Sequence, residues 1–379
     1  MGEGKCYKGT ISEGFLVSNR ICQTVGALES LSGKELRMIN AFQHIGMGVW
    51  DVDKTYSFYK KLFGYRIKLN DITMAPKEME PVVGSLETMR MMMCMNARGG
   101  GILEFIEHKS SPVRPYPEEA GYGNCGILEI GFGVRAIEKV VDSFRAKGVA
   151  FLTPVCELAL AEGRRWRYAY LADPDGMKVQ LVEDLRSGQP AAEKPEVRGV
   201  FQVGVGVSDV EASKAFYGNV LGFDREIYSF DGHNPDLDPV SVGPIQMNTV
   251  ILERSAPNRG PVSDLPSGTI KLMAVPDDKG EHIYKGRRWG DIGCMEFCMD
   301  VSDLEGAVED AKRKGAPIYL QPCEVDMGSG SKGKVAYIRD PDGTIVEFVE
   351  ICSIAWLSAS TFTRIAMPAL KIYDRLAPA

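Results

Sequence analysis

The 379-residue chain contains no apolar run approaching the roughly 18 residues that a membrane span requires. It has no Lys/Arg-rich run, and its formal net charge is −7. Those two facts remove the basic track along which a nucleic acid would lie. Nine cysteines are scattered without one CxxC pair, so a disulfide framework is not expected and the thiols read as reduced. Cys125 and Cys294 fall near equivalent strand starts and read as small apolar fillers. The first residues, MGEGKCYKGTISEGFLVSN, lack the basic-then-apolar pattern of a secretory signal, and a cytoplasmic location is expected. Hydrophobic content of 44% and charged content of 25% are ordinary for a soluble globular protein.

What the chain does have is an internal repeat. HIGMGVWDVDKTYSFYKKLFG at 44–64 is answered by QVGVGVSDVEASKAFYGNVLG at 202–222, and YLADPDGMKVQLVED at 170–184 by YIRDPDGTIVEFVEI at 337–351. Self-similarity over this length means two copies of one fold in one polypeptide.

Local patterns give the plan of each copy. Residues 42–49 alternate His44, Gly46 and Gly48 with Ile45, Met47 and Val49, the period of a half-buried strand. Asp51 is placed to cap a helix over 53–63 that Gly64 ends. YRIKL, MRMMMCMN and GILEFIEH supply three more strands, with a long loop expected over 71–87. The plan restarts with a strand at 127–134 and a helix at 136–147. Asp173-Pro174-Asp175-Gly176 then marks a hairpin turn. The expected domains are 41–186 and 200–352, each a pair of strand–helix–three-strand units. A polar, Pro-containing linker over 187–199 joins them. Residues 1–40 form an extension in which Ser32–Glu35 starts a short helix. The tail, 353–379, is expected to be a helix packing back on the protein or a dimer contact.

This layout resembles the vicinal oxygen chelate superfamily, which includes glyoxalase I, methylmalonyl-CoA epimerase, extradiol dioxygenases and bleomycin- and fosfomycin-resistance proteins. The resemblance rests on the two 21-residue segments and the two DPDG hairpins and covers about residues 41–352. It implies an α+β fold of two tandem domains, each of paired βαβββ modules. It says little about reaction, because many chemistries share the fold.

In that family each module offers one metal ligand, from its first or its last strand. Carried over by position, the resemblance implies His44, Glu104, Glu129 and Gln180 in the first domain. In the second it implies Gln202, a non-acidic residue near Lys271–Leu272, Glu296 and Glu347. The dioxygenase grouping, within one domain, gives His44, Glu129, Gln180 or Gln202, Glu296, Glu347. Neither holds the two histidines and carboxylate of a non-haem iron site. The glyoxalase grouping, across domains, gives His44, Glu104, Glu296 and Glu347 as one complete site, and Gln202, Glu129 and Gln180 as a degraded one.

One imidazole with three carboxylates suits one divalent ion, Mn²⁺, Co²⁺, Ni²⁺, Fe²⁺, Mg²⁺ or Zn²⁺, with no organic cofactor. A substrate with adjacent oxygens would chelate such an ion and acquire an acidic C–H beside its carbonyl. By the resemblance, Glu347 is the preferred base, with Glu104 the second. The implied enzyme is a metal-dependent isomerase, epimerase or lyase acting on a small to medium oxygenated molecule. Its rivals are an extradiol-type dioxygenase and a non-catalytic small-molecule binding or resistance protein.

Several residues carry two readings. Glu104 and Glu296 lie on strands where an acid can equally face solvent. The methionines between 89 and 95, Met93 among them, suit either an apolar substrate cavity or core filling. Arg164 and Arg167, with Arg165, suit either an anionic substrate group or a solvated strand edge. His233 lies in a loop that could touch substrate. GSGSKGK at 328–334 reads as a mobile loop over the second half-site, and long loops at 71–87 and 231–267 suggest a roomy pocket. A monomer and a homodimer both fit, since fusion supplies the pairing that single-domain relatives obtain by dimerising.

Overall fold

The computed structural model describes residues 38–354 and 357–358, apart from 118–119, 187–191, 242, 259–265, 267, 277–279 and 329, together with residues 361, 368–369 and 372. The helix expected at Ser32–Glu35 and most of the expected C-terminal helix lie outside the described residues.

Four strand–helix–three-strand modules follow one another. The first is β1 (Ile39–Gly48), α1 (Val52–Phe63), β2 (Ile67–Met74), β3 (Met89–Met95) and β4 (Ile102–His108). The second is β5 (Gly126–Arg135), α2 (Ile137–Ala146), β6 (Cys156–Ala159), β7 (Arg165–Ala172) and β8 (Lys178–Leu185). The third is β9 (Glu196–Gly206), α3 (Val210–Asn219), β10 (Arg225–His233), β11 (Gln246–Glu253) and β12 (Thr269–Ala274). The fourth is β13 (Gly293–Val301), α4 (Leu304–Arg313), β14 (Ile318–Gly328), β15 (Ser331–Arg339) and β16 (Ile345–Ile354).

Short-range chemistry sets the ends of these elements. Asp51, Asp209 and Asp303 each accept a backbone N–H from the first turn of α1, α3 and α4. Gly64 ends α1 in the left-handed region, at φ 71°. Helix α2 has Ala136 at its start and no such cap. The Glu183 carboxylate, from β8, takes the N–H groups of Ala136 and Ile137 instead.

The modules combine in two ways. In the sheets, β14-β15-β16-β13-β1-β4-β3-β2 form one curled layer, with a short strand, Leu357–Ser358, paired to β16. The other layer is β10-β11-β12-β9-β5-β8-β7-β6. The first module therefore shares a sheet with the fourth, and the second with the third. The seams are antiparallel pairs, β1 with β13 and β5 with β9.

Hydrogen bonds through the helices tie the modules the other way. Tyr59, on α1, donates to Asp173 of the DPDG turn after β7 at 2.9 Å. Tyr217, on α3, donates to Asp340 of the turn after β15 at 3.0 Å. One continuous apolar core lies beneath this crossing, and Phe105, Phe132 and Phe297 within it are fully buried. Each such ring contributes about 1.5–3 kcal/mol relative to exposure.

Strand β1 differs from the half-buried expectation. Residues 40–48 are buried on both faces, because β1 is central: one face meets the helix-covered core and the other lines the concave side. The stretch 71–87 is not one loop. Strand β2 runs to Met74, and short helical turns follow at Lys77–Met79 and Glu80–Val83. Likewise 231–267 contains β11, and 328–334 is the tight connection and opening of the β14–β15 hairpin. That hairpin lies in the sheet of the first and fourth modules.

Candidate metal centre

His44, Glu104, Glu296 and Glu347 come from four neighbouring strands, β1, β4, β13 and β16, in the middle of the first sheet. Register explains their meeting. Gly46 is paired with Glu104 on one side and with Glu296 on the other, and Cys298 with Glu347. Alternation then turns all four side chains to the concave face. Gly46 is required there, since a Cβ at this position would lie 2.6 Å from Glu296 Oε1.

His44 Nε2 stands 3.0 Å from Glu347 Oε2 and 3.5 Å from Glu104 Oε2. Ligand atoms of His44, Glu104 and Glu296 lie within 4.8 Å of one another, as do those of His44, Cys298 and Glu347. The surroundings orient these groups. Gln43 accepts the proton of His44 Nδ1 at 2.8 Å, which leaves the Nε2 lone pair facing the carboxylates. Gln43 in turn donates to Asp300, which Asn40 also holds. Trp289 donates its indole N–H to Glu296 Oε2 at 2.8 Å, and Tyr337 its hydroxyl to Glu347 Oε1 at 3.4 Å.

Among the described residues, three buried atoms of this cluster have no hydrogen-bond partner outside it: His44 Nε2, Glu296 Oε1 and Glu347 Oε2. With the imidazole neutral and the carboxyls ionised, each carries a lone pair. Burial, followed by the charges of Glu347 and Glu104, pushes the Glu296 carboxyl well above the usual carboxylate range. Burial opposes a charge on His44, but the Cys298 sulfur and the Glu347 carboxylate outweigh it and raise its pKa well above the ordinary value. Buried donor atoms without an outside partner fit a divalent cation, which would replace the protons that the raised pKa values of His44 and Glu296 hold there. The donor set, one imidazole nitrogen and three carboxylates, is that of a hard, oxygen-preferring ion.

The cavity over this cluster is about 80 Å³. Met91 and Met93 line it, whereas Met92, pointing the other way, is in the main core. The expected roomy pocket is not seen: Met74, Pro76, Glu78 and Met79, from the stretch read as a long loop, form part of its wall.

The pseudo-equivalent place in the second sheet holds a different chemistry. Gly204 is paired with Lys271 and Glu129 as Gly46 is with Glu104 and Glu296. Lys271 thus stands where Glu104 stands, and its ammonium lies 2.9 Å from Glu129 Oε1. Tyr122 and Tyr170 donate to the same carboxylate, and Gln202 donates to Gln180 at 2.6 Å. Glu129, Lys271, Gln202 and Gln180 leave no buried polar atom without a partner. A tethered ammonium supplies the positive charge that a cation would otherwise bring.

Other residues singled out in the sequence lie elsewhere. Arg164 is 8% exposed and bonds both Asp184 and Glu253 at 2.9 Å, joining β8 to β11. Arg167 is engaged by Glu138, Glu157 and Glu183. His233 pairs with Asp238 at 2.7 Å. Arg167 and His233 lie on strands of the second sheet and Arg164 immediately precedes one, and none borders the cavity over His44; local carboxylates, absent from a motif reading, occupy them. Sequence reasoning missed Cys298, Trp289 and Gln43. Cys298 was within reach, since it lies two residues from Glu296 on one strand and so on one face. Trp289 was not, because its loop position carries no period.

The family model described as Glyoxalase/Bleomycin resistance protein/Dioxygenase superfamily matches residues 41–181 and 199–348. The chain is 22% identical over 340 residues to glyoxalase I of Saccharomyces cerevisiae, covering 85% of this chain and 95% of that protein. It is 24% identical over 330 residues to lactoylglutathione lyase of Schizosaccharomyces pombe, covering 81% and 95%. In fold it is similar to a glyoxalase I mutant from Zea mays, with a TM-score of 0.52 at 18% identity, covering 82% of this chain and 94% of that one. With both repeats matched in tandem, the chain belongs to the glyoxalase/bleomycin resistance protein/dioxygenase superfamily.

Proposed function

We propose that this protein is a metal-dependent lyase or isomerase that removes a proton beside a chelated carbonyl or hydroxyl group of a small oxygenated substrate. The observation that carries the reading is the convergence of His44, Glu104, Glu296 and Glu347 on one face of the sheet, with His44 Nε2, Glu296 Oε1 and Glu347 Oε2 buried and without a hydrogen-bond partner outside the cluster. His44, Glu104, Glu296 and Glu347 would hold one divalent ion. When bound, the ion would polarise a substrate oxygen and acidify the neighbouring C–H.

The chain's own residues would do the rest. Glu347 would be the base, with Tyr337 donating to one of its oxygens and His44 fixing the side from which the other acts. Glu104, whose Oε2 is 3.5 Å from His44 Nε2, would return the proton. Met91, Met93 and Val335 would exclude water from the reacting carbon. The name of one relative, lactoylglutathione lyase, makes lactoylglutathione the first compound to try.

The test is reconstitution with Mn²⁺, Co²⁺, Ni²⁺ or Zn²⁺, followed by turnover in D₂O under argon. Deuterium should enter the product carbon, and chelation should both stop turnover and lower the melting temperature. Turnover that needs oxygen would replace the reading with ring-cleaving oxidation. Absence of bound metal, with ligand affinity untouched by chelators, would replace it with a binding protein.

A further inference from the structure

Partnerless buried atoms also mark a second place. At the metal centre they are lone pairs, whereas here they are mainly N–H and O–H donors. A separate cavity of about 310 Å³ lies on another side of Trp289, between residues 282–289 and the turn joining β15 to β16. The Nδ1 atom of His282 accepts the backbone N–H of Tyr284 at 3.1 Å, so the neutral ring carries its proton on Nε2. Among the described residues, that Nε2 has no hydrogen-bond partner, and neither have Arg287 Nε, Arg339 Nε and the Tyr284 hydroxyl.

The two guanidiniums are held in place by other means than ion pairing. Arg287 gives its terminal N–H groups to backbone carbonyls, including that of Ile292 at 2.8 Å, and lies over the Tyr284 ring. Arg339 lies over the Tyr319 ring at 3.6 Å. Among the described residues neither has a carboxylate within 4.0 Å, whereas their neighbours Lys285 and Arg288 pair with Glu281 and Glu87. The cavity's one carboxylate, Asp342, accepts the N–H and hydroxyl of Ser208. Charge is therefore left positive. Water could satisfy the donors but would leave that charge unmatched, while an oxyanion answers both.

We propose that this cavity is a binding site for a small oxyanion, a phosphate or carboxylate group held by Arg287, Arg339 and His282. The site is distinct from the metal cavity, from which Trp289 separates it, and it stands or falls independently of the metal reading.

Calorimetric titration of the full chain at low ionic strength, with inorganic phosphate in one arm and acetate in the other, tests it. Saturable one-to-one binding of either probe is expected, with the tighter arm identifying the group. Arg339→Gln and Arg287→Gln should each raise Kd about tenfold or more, by loss of charge-assisted hydrogen bonds. Should either glutamine variant fail to fold, Arg339→Lys, which keeps the charge but loses the planar fork, should still weaken phosphate. No saturation by either probe up to about 10 mM, or affinity unchanged in folded variants, would overturn the proposal.

Discussion

At the scale of single residues, one sequence position has opposite chemistry in the two repeats. Glu104 and Lys271 occupy the same register, and the sign of their charge separates a cluster that calls for a cation from one that contains its own. Lys271→Met would strand the Glu129 carboxylate in a site where both are almost wholly buried. A loss of about 3–5 kcal/mol is expected for breaking such a pair on one side, measured by urea unfolding. Adding Glu129→Gln should recover most of that loss, because Tyr122 and Tyr170 can still donate to the amide oxygen. If the double variant is no more stable than the single one, the pair is not what holds this site together. In the first sheet, Glu347→Gln should lower kcat by about 10²–10⁴, the usual contribution of a positioned base, and abolish deuterium incorporation. A variant that keeps the isotope exchange would move the base elsewhere, with Glu104 next in line.

Between elements, the buried acids Asp173 and Asp340, which accept the helix-to-turn bonds from Tyr59 and Tyr217, give stability a pH dependence. Burial is the main cause that pushes Asp173 up to about 7 and Asp340 to about 6, against an ordinary 3.8. A raised carboxyl pKa means that the folded chain binds the proton more tightly than the unfolded one. These two groups therefore contribute fully below about pH 4, and the contribution fades as pH rises through about 6 and 7. Asp340→Asn should flatten the fall in melting temperature across about pH 4–6, and Asp173→Asn should do so up to about pH 7. A parallel shift of the whole curve, with its slope unchanged, would remove these acids as the cause.

For the whole molecule, the crossing of modules decides how many centres there are. The first sheet takes its candidate ligands from the first and fourth modules, the second sheet from the second and third. Only the former has a set without a tethered ammonium; in the latter Lys271 pairs with Glu129 at 2.9 Å. Metal analysis of the reconstituted chain should therefore give one divalent ion per polypeptide, and Glu296→Gln should reduce affinity for it. Two equivalents bound with similar affinity would mean that the Lys271–Glu129 pair yields to metal.

Much of this plan was legible in the chain. Asp51 capping α1, Gly64 ending it and the DPDG hairpins follow from bonds made within a few residues. So do the alternating strands, whose period is a local property. His44, Glu104, Glu296 and Glu347 could be proposed because the resemblance to the vicinal oxygen chelate superfamily carries ligand positions onto the repeated modules. What lay beyond the sequence was partnership. Arg164 and Arg167 look like free cations until Glu253 and Glu183 arrive from other strands and Glu138 from α2. Residues 71–87 look like slack chain until Met74 and Met79 close over the cavity. Trp289 reaches Glu296 only because its loop folds back along β13. Periodicity and capping are written by neighbours in sequence, whereas charge neutralisation, cavity size and the pairing of modules depend on groups far apart along the chain, which only the folded sheets bring within a few ångströms.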